Sequence, residues 1–287
     1  MNETIKQFPR TEVAGVSLSR MLIGTNWMLG WSHQSPAADA RIKETFAKPE
    51  DFYPMLAAYQ SYGIDSIMGL FGNHDLMRAA TEYYEDKSGK KLIKIDTPII
   101  NVDDTPEGRK EAETTIKNCA KAGSTFCLIH HSAAEQLVDK NRGEIKRIND
   151  YTSMIRDAGM IPGLSAHMPE LITYSDNHGY DVETYIQIFN CMGFLMQIEI
   201  ETIASIIHGA KKPVMTIKPM AAGRVTPYVG LTFNWHALRA KDMITVGAFS
   251  EKEVHEDVEI SFAALEGRFP EIEKRASPNN NQAAFGN

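Results

Sequence analysis

The sequence is poor in cysteine, and its three cysteines have no spacing typical of a disulfide or metal framework. Cys119, Cys127 and Cys191 are odd in number, form no C-x-x-C pair and lie in apolar or helical stretches. A disulfide-stabilised secreted scaffold is therefore excluded, and buried thiols in a reducing compartment are indicated. We expect a cytoplasmic protein.

Long apolar runs are also missing. Nowhere do about 18 uncharged apolar residues follow one another, which a membrane-spanning helix requires. The first ten residues are polar and lack the apolar segment of a signal peptide. We therefore expect no membrane association and no secretion.

An excess of basic residues is absent too. The chain has 30 lysines and arginines against 37 aspartates and glutamates, which gives a formal net charge of -7. Proteins that bind nucleic acid cluster positive charge to neutralise phosphates, so nucleic acid is not an expected partner. A small-molecule substrate fits this composition better.

The 287 residues, 43% of them hydrophobic, are enough to bury a large core in one domain. Short apolar runs alternate with amphipathic helical stretches, as in folds where each parallel strand is followed by a crossover helix. The runs cover residues 21–25, 64–68, 92–95, 125–130, 160–164, 194–201, 214–217 and 243–248. Eight such units predict a (β/α)8 TIM barrel over residues 1–276, with a loosely ordered tail at 277–287. An open doubly wound sheet is the alternative.

Several segments together resemble the aldo-keto reductase superfamily. They are PRT at 9–11, GVSLSRMLIGT at 15–25, GIDS at 63–66, LIHH at 128–131, GLS at 163–165, KPMAAG at 218–223 and ITVGAFS at 244–250. The resemblance implies a short hairpin at the barrel floor and an NADP-dependent reductase centre. In that family an Asp, a Tyr, a Lys and a His act together, and the matching positions suggest Asp65 and His130 for the Asp and the His.

The rest of this centre differs from the family pattern. Leu70-Phe71-Gly72 stands where the Tyr is expected, and a phenylalanine has no proton to donate. Ile95-Asp96-Thr97-Pro98 replaces the Lys by an acid. At the nicotinamide pocket Ser165 is followed by Ala166, and Ile200 occupies the position of a stacking aromatic residue. Because of these differences, our first interpretation is a chemistry other than hydride transfer.

The C-terminal ends of barrel strands face the substrate, so their polar residues are the candidates for chemistry. In the run 194–201, Gln197, Glu199 and Glu201 alternate with apolar residues at the two-residue period of a strand. Acids on one face of a buried barrel strand need partners. The candidate partners are Lys218, Arg224, a histidine and a metal ion.

A divalent metal site is one hypothesis for these residues. Zinc, manganese or magnesium would be held by Asp96, by Glu199 or Glu201, and by His130, His131 or His167. The alternative is a buried ion-pair network of Glu199 and Glu201 with Lys218 and Arg224, without a metal. Schiff-base formation by Lys218 is disfavoured if these acids adjoin it, because they would keep the amine protonated.

The remaining candidates fall into two groups. Asn26, Trp27, His167 and Gln197 are expected to contact the substrate, with Trp27 and Trp31 able to wall a sugar-like ligand. Ser165, Gly223, Arg224 and Ser250 are expected to bind a phosphate or a cofactor, because barrels bind phosphate beside strands seven and eight. His33 and four other histidines are expected to be surface or packing residues.

These observations lead to three functional hypotheses. The first is an enzyme that uses Asp65, His130, Lys218 and Glu199 for acid–base or metal-assisted chemistry on a small polar carbonyl or sugar-like compound, as an isomerase, lyase or hydrolase. The second is a divergent NADP-dependent reductase, and the third is a barrel that binds a ligand without catalysis. The apolar stretches 180–189 and 228–235 could form a subunit interface, but the oligomeric state is not predicted.

Overall fold

In a computed structural model of the protein, which describes residues 5–272, eight parallel strands close into a barrel. The barrel strands are β3 (Met21–Gly24), β4 (Ser66–Gly69), β5 (Ile93–Asp96), β6 (Phe126–Ile129), β9 (Ile161–Ala166), β10 (Tyr185–Ile188), β11 (Val214–Ile217) and β12 (Met243–Val246). Pairing of β12 with β3 closes the ring, with Ile244 opposite Met21. The predicted (β/α)8 TIM barrel is confirmed. The predicted tail at 277–287 lies outside the described residues.

Helices return the chain between the strands. They are α1 (Pro36–Thr45), α2 (Tyr53–Ser61), α3 (Asp75–Ser88), α4 (Pro106–Lys121), α5 (His131–Ala134), α6 (Ile148–Asp157), α7 (Glu170–His178), α8 (Ile200–Gly209), α9 (Pro227–Ala237) and α10 (Glu251–Glu266). A small ribbon of β7 (Val138–Asp139) and β8 (Glu144–Ile145) follows α5. Among residues 5–272, no helix is both long and apolar enough to cross a membrane.

The hairpin before the barrel forms as expected. Strands β1 (Arg10–Val13) and β2 (Val16–Ser19) pair antiparallel around Ala14 and Gly15, both of which have positive φ as a tight two-residue turn requires. Val13 and Leu18 are fully buried and pack against Leu22, Phe126 and other inward-facing barrel residues. The hairpin therefore closes the floor of the barrel with apolar side chains.

Seven of the eight predicted strand positions overlap observed strands, and the sixth is wrong. The sixth barrel strand is Tyr185–Ile188, inside the apolar stretch 180–189 for which a subunit interface had been considered, and its four residues are all buried. Residues 194–199 instead form an irregular loop. Asn190 stabilises that loop, because its Oδ1 accepts from the N–H of Phe194 at 2.9 Å and its Nδ2 donates to the Phe194 carbonyl at 3.0 Å. Polar and apolar residues alternate at 194–201 as they do in a strand, but this segment does not form one.

Tight packing between β6, β9 and β10 generates one prediction. A Cβ added at Gly163 in β9 would lie 2.6 Å from Leu128 Cγ and 2.8 Å from the Thr184 carbonyl oxygen. Gly163→Ala should therefore lower the free energy of unfolding by about 1–3 kcal/mol through overpacking, measured by urea denaturation. The control is Gly209→Ala at the end of α8, where a Cβ meets nothing within 4 Å, and we expect a change below about 1 kcal/mol. Equal effects of the two substitutions would contradict the packing argument.

Candidate active site

A cavity of about 860 Å³ opens at the C-terminal ends of the barrel strands. Nine predicted site residues line it: Asn26, Trp27, His130, His131, Ser165, His167, Lys218, Gly223 and Arg224. They come from the ends of four barrel strands and the loops that follow them. The fold therefore gathers these side chains around one space, although they are far apart in sequence.

Lys218 directly follows β11 and is half-buried in this cavity. Its Nζ lies 2.9 Å from Nε2 of His33. Burial lowers the pKa of Lys218 to about 8, because no nearby carboxylate compensates the desolvation of the ammonium form. At pH 7 Lys218 is then a free amine in roughly a tenth of the protein molecules. The expectation that adjacent acids keep Lys218 protonated is wrong, since the acids expected beside it lie elsewhere.

Backbone strain is concentrated at this part of the mouth. His33, Lys218, Ala221 and Ala222 have φ values of 55°, 59°, 49° and 55°, in the left-handed region that residues with a Cβ disfavour. Such residues cost about 1–3 kcal/mol each and persist where the surroundings enforce them, often at functional sites. Two of the strained residues are Lys218 and His33 themselves, so the surrounding structure enforces the backbone conformation of this pair.

Three imidazoles from two neighbouring strand ends form a stack beside the lysine. The ring centroids of His130 and His131 are 4.2 Å apart, and those of His131 and His167 are 3.7 Å apart at an interplanar angle of 14°. Burial is the main cause that lowers the pKa of His130 to about 4 and of His167 to about 3, and positive neighbours lower both further. The rings are therefore neutral near pH 7 and supply hydrogen-bonding groups without charge.

The tautomer of His130 follows from its partners. The backbone N–H of Ser132 donates to His130 Nδ1 at 3.3 Å, and the Ser132 hydroxyl lies 2.8 Å from the same nitrogen. Because Nδ1 accepts from a backbone N–H, the proton of the neutral ring is on Nε2. His130 is thus a hydrogen-bond donor through Nε2, suited to an oxygen that gains negative charge.

His33 was missed by the sequence analysis, which treated it as a surface or packing residue. It lines the cavity from the loop after β3, the same loop that supplies Asn26 and Trp27. Arg224 donates to its carbonyl at 3.1 Å, and neighbouring Ser32 donates from its N–H and its hydroxyl to Asp39. Its position in a loop after a barrel strand was the available signal, but no sequence feature ranked it above the other loop histidines.

Small residues bring the walls of the cavity close together at Trp27. The Cβ position of Gly247 is 3.2 Å from Trp27 Cδ1, and that of Gly223 is 3.6 Å from Trp27 Cζ2. Gly223 has positive φ, and a Cβ there would also lie 2.6 Å from Nε2 of Gln34. The indole therefore forms a fixed apolar wall between the first and seventh strand ends.

Asp65 does not belong to the site, which corrects the assignment taken from the family resemblance. It precedes β4 at the N-terminal end of that strand, on the floor side of the barrel. Its carboxylate accepts from Arg10 of the floor hairpin at 3.0 Å. At the opposite end of the same strand, Met68 lines the cavity and presents a thioether there.

Asp96 is likewise outside the cavity wall. Its Oδ2 accepts from the Gly72 N–H at 2.9 Å and from the Ser124 hydroxyl at 3.1 Å, while its buried Oδ1 has no partner among the described residues. Burial raises the pKa of Asp96. This acid supports the packing around β5 and is not placed to ligate an ion in the mouth.

The acids expected on the sixth strand are dispersed as well. Gln197 is exposed in the loop before α8, Glu199 is the exposed residue that precedes this helix, and Glu201 is exposed in its first turn. The predicted acidic ligands Asp96, Glu199 and Glu201 therefore do not converge with the three histidines. Within residues 5–272, no group of three or more His, Cys, Asp or Glu side chains is arranged to hold a metal ion.

Comparison with known proteins identifies the fold but no close relative. Candidate aldo-keto reductases from Pseudomonas aeruginosa in two solved structures match 91% and 92% of this chain, and 99% and 100% of their own chains, at a TM-score of 0.64 and 12% and 11% identity. The fold is that of the aldo-keto reductases. Aldose reductase from Giardia lamblia matches 92% of this chain and 90% of its own at a TM-score of 0.52 and 11% identity. No family model and no curated protein matches the sequence.

Phosphate or cofactor binding was predicted near the last helix, and the cavity extends towards this helix, α10. Ser250 caps this helix, accepting from the Glu253 N–H at 3.3 Å, but it does not line the cavity wall. Glu253, Glu256 and the buried Asp257 do line it. Burial and the two glutamates raise the pKa of Asp257 well above its ordinary value. These acids do not fit the 2′-phosphate of NADP, although they fit ribose hydroxyls.

The lowered pKa values of His130 and His167 predict acid sensitivity. In the unfolded chain these two histidines bind protons below about pH 6.5. In the folded chain His130 binds a proton only near pH 4 and His167 only near pH 3. The free energy of unfolding therefore falls as the pH falls from 6.5 towards these values. His167→Gln should reduce the loss of unfolding free energy between pH 7 and pH 5, measured with urea. His236→Gln removes an exposed histidine as the control. An unchanged pH dependence in His167→Gln would refute the assignment.

Proposed function

We propose that this protein is an enzyme that moves a proton next to the carbonyl group of a small polar compound, with Lys218 as the central acid–base group. The observation that carries the proposal is the position of Lys218, which lies in the cavity next to His33 and forms no ion pair with any carboxylate of residues 5–272. An amine with a pKa near the operating pH can both accept and return a proton. An isomerase or a lyase of hydroxycarbonyl compounds would use this step.

The remaining residues of the wall fit such a substrate. His130, as a neutral Nε2–H donor, can stabilise the oxygen of an enolate as negative charge develops on it. Arg224 adds fixed positive charge at the rim, stacked 4.1 Å from the Phe194 ring centroid, which favours substrates that carry a carboxylate or phosphate. Trp27 offers a ring face for the carbon skeleton.

The proposal is tested by hydrogen exchange next to a carbonyl. Purified protein is incubated in D2O with 2-oxo acids, hydroxyketones and aldoses, and deuterium incorporation is followed by proton NMR. We expect catalysed exchange whose rate rises with pH up to about 8, as Lys218 loses its proton. Lys218→Met should reduce the rate by about 100-fold or more, since a positioned general base contributes about 10²–10⁴.

Lys252→Met, which removes an exposed lysine of α10, is the matched control and should retain wild-type exchange. Both variants are checked for folding by circular dichroism and by their urea midpoints. Exchange no faster than in buffer for every compound class, or full exchange by folded Lys218→Met, would contradict the proposal.

A nicotinamide-dependent reductase is the second candidate, because the cavity reaches the first turns of α10, where a dinucleotide could lie. The acids Glu253 and Glu256 at this end repel a phosphate. If the protein is a reductase, NADH should raise its melting temperature more than NADPH does, measured by thermal shift at equal concentrations. Stronger stabilisation by NADPH would contradict the assignment of this end of the cavity, and no stabilisation by either would rule out this candidate.

A further inference from the structure

We infer that Lys218 acts as a covalent nucleophile, forming a Schiff base with the carbonyl carbon of its substrate. This inference rests on the proposed function and assigns to the same side chain a bond-forming step before the proton transfer. The chemical class of substrate is an aldehyde or ketone small enough for a cavity of about 860 Å³.

The surroundings of Lys218 favour a nucleophile over a structural cation. A lysine that serves only to hold a structure is paired with a carboxylate when it is withdrawn from water. Among the described residues, the polar contact of Nζ is Nε2 of His33 at 2.9 Å, and the cavity wall beside it carries the imidazoles of His130, His131 and His167. Desolvation without a counter-charge is how enzymes expose the free amine of a Schiff-base lysine.

His33 is suited to move the proton that imine formation requires. The ammonium form of Lys218 donates its proton along the 2.9 Å contact to His33 Nε2. Burial is the main cause that lowers the pKa of His33, and the positive charge of Lys218 lowers it further, so the ring gives the proton up readily when the carbinolamine loses water.

The reaction balances without an external oxidant or reductant. The lone pair of the amine attacks the carbonyl carbon, and the carbonyl π electrons move to the oxygen, which takes a proton from the attacking nitrogen to give a neutral carbinolamine. That hydroxyl then leaves as water with the proton held by His33, and a protonated imine remains. The overall change is one ammonium and one carbonyl compound converted into one iminium and one water.

The iminium makes the proposed proton transfer easier. Its positive nitrogen accepts the electron pair of an adjacent C–H bond while neutral His33 takes the proton, and an enamine forms. Water later hydrolyses the imine and restores Lys218. His130 and Ser165 line the same cavity and offer hydrogen bonds to the oxygen that is protonated and lost.

Reductive trapping tests the bond directly. The protein is incubated with dihydroxyacetone or pyruvate and sodium cyanoborohydride, which converts an imine into a stable secondary amine. Peptide mass spectrometry should locate the adduct on Lys218, at more than tenfold the occupancy of exposed lysines. Lys218→Arg keeps the charge but cannot form the imine and should lose the adduct, whereas Lys252→Met should retain it. No adduct, or equal labelling of exposed lysines and Lys218, would overturn the inference.

Oxygen exchange separates this inference from the proposed function. Imine formation and hydrolysis replace the carbonyl oxygen by one from water, so pyruvate in ¹⁸O-labelled water should gain label, and folded Lys218→Arg should fall to the uncatalysed rate. Deuterium exchange without oxygen exchange or trapping would leave the proposed function standing and overturn the covalent step. Absence of all three signals would overturn both.

Discussion

Lys218 is withdrawn from water without an acidic partner, and the proposed chemistry depends on this arrangement. Each unit by which its pKa falls corresponds to about 1.4 kcal/mol that the folded protein forgoes by burying the ammonium form. Neutral His33 supplies one acceptor, and the histidine stack supplies polar contacts without compensating charge. The buried amine thus lowers the free energy of unfolding, and the closed barrel is stable enough to compensate for this cost.

The barrel makes this arrangement possible because its rigid apolar interior and its polar candidate site lie in different parts of the structure. Apolar side chains fill the interior beneath the mouth, from Val13 and Leu18 of the floor hairpin to Ile186 and Met215 of the strands. The polar side chains of the candidate site lie where the parallel strands end, so loops from several strands meet over a rigid base. Left-handed residues such as Lys218 and Ala222 are tolerated there because the strands below hold their ends.

The sequence was sufficient for most of the fold, because buried parallel strands leave short apolar runs that stand out between polar helices. It failed at the sixth strand, where the side chain of Asn190 builds a loop from residues that alternate as a strand does. Lys218 and the histidines could be predicted from their place after strands. Asp65 could not be placed correctly, because similarity to a family motif does not fix which end of a short strand a residue occupies. His33 lay in a loop whose course only the three-dimensional structure reveals.

The hairpin that fills the barrel floor also has a kinetic consequence. Since Val13 and Leu18 close the floor with apolar side chains, a compound in the cavity does not leave through that end of the barrel. Under the proposed function, substrate and product therefore both pass on the side of the strand ends and compete for the same space. The turnover rate would then depend on how fast the product dissociates, and accumulated product would inhibit the enzyme by competing with the substrate.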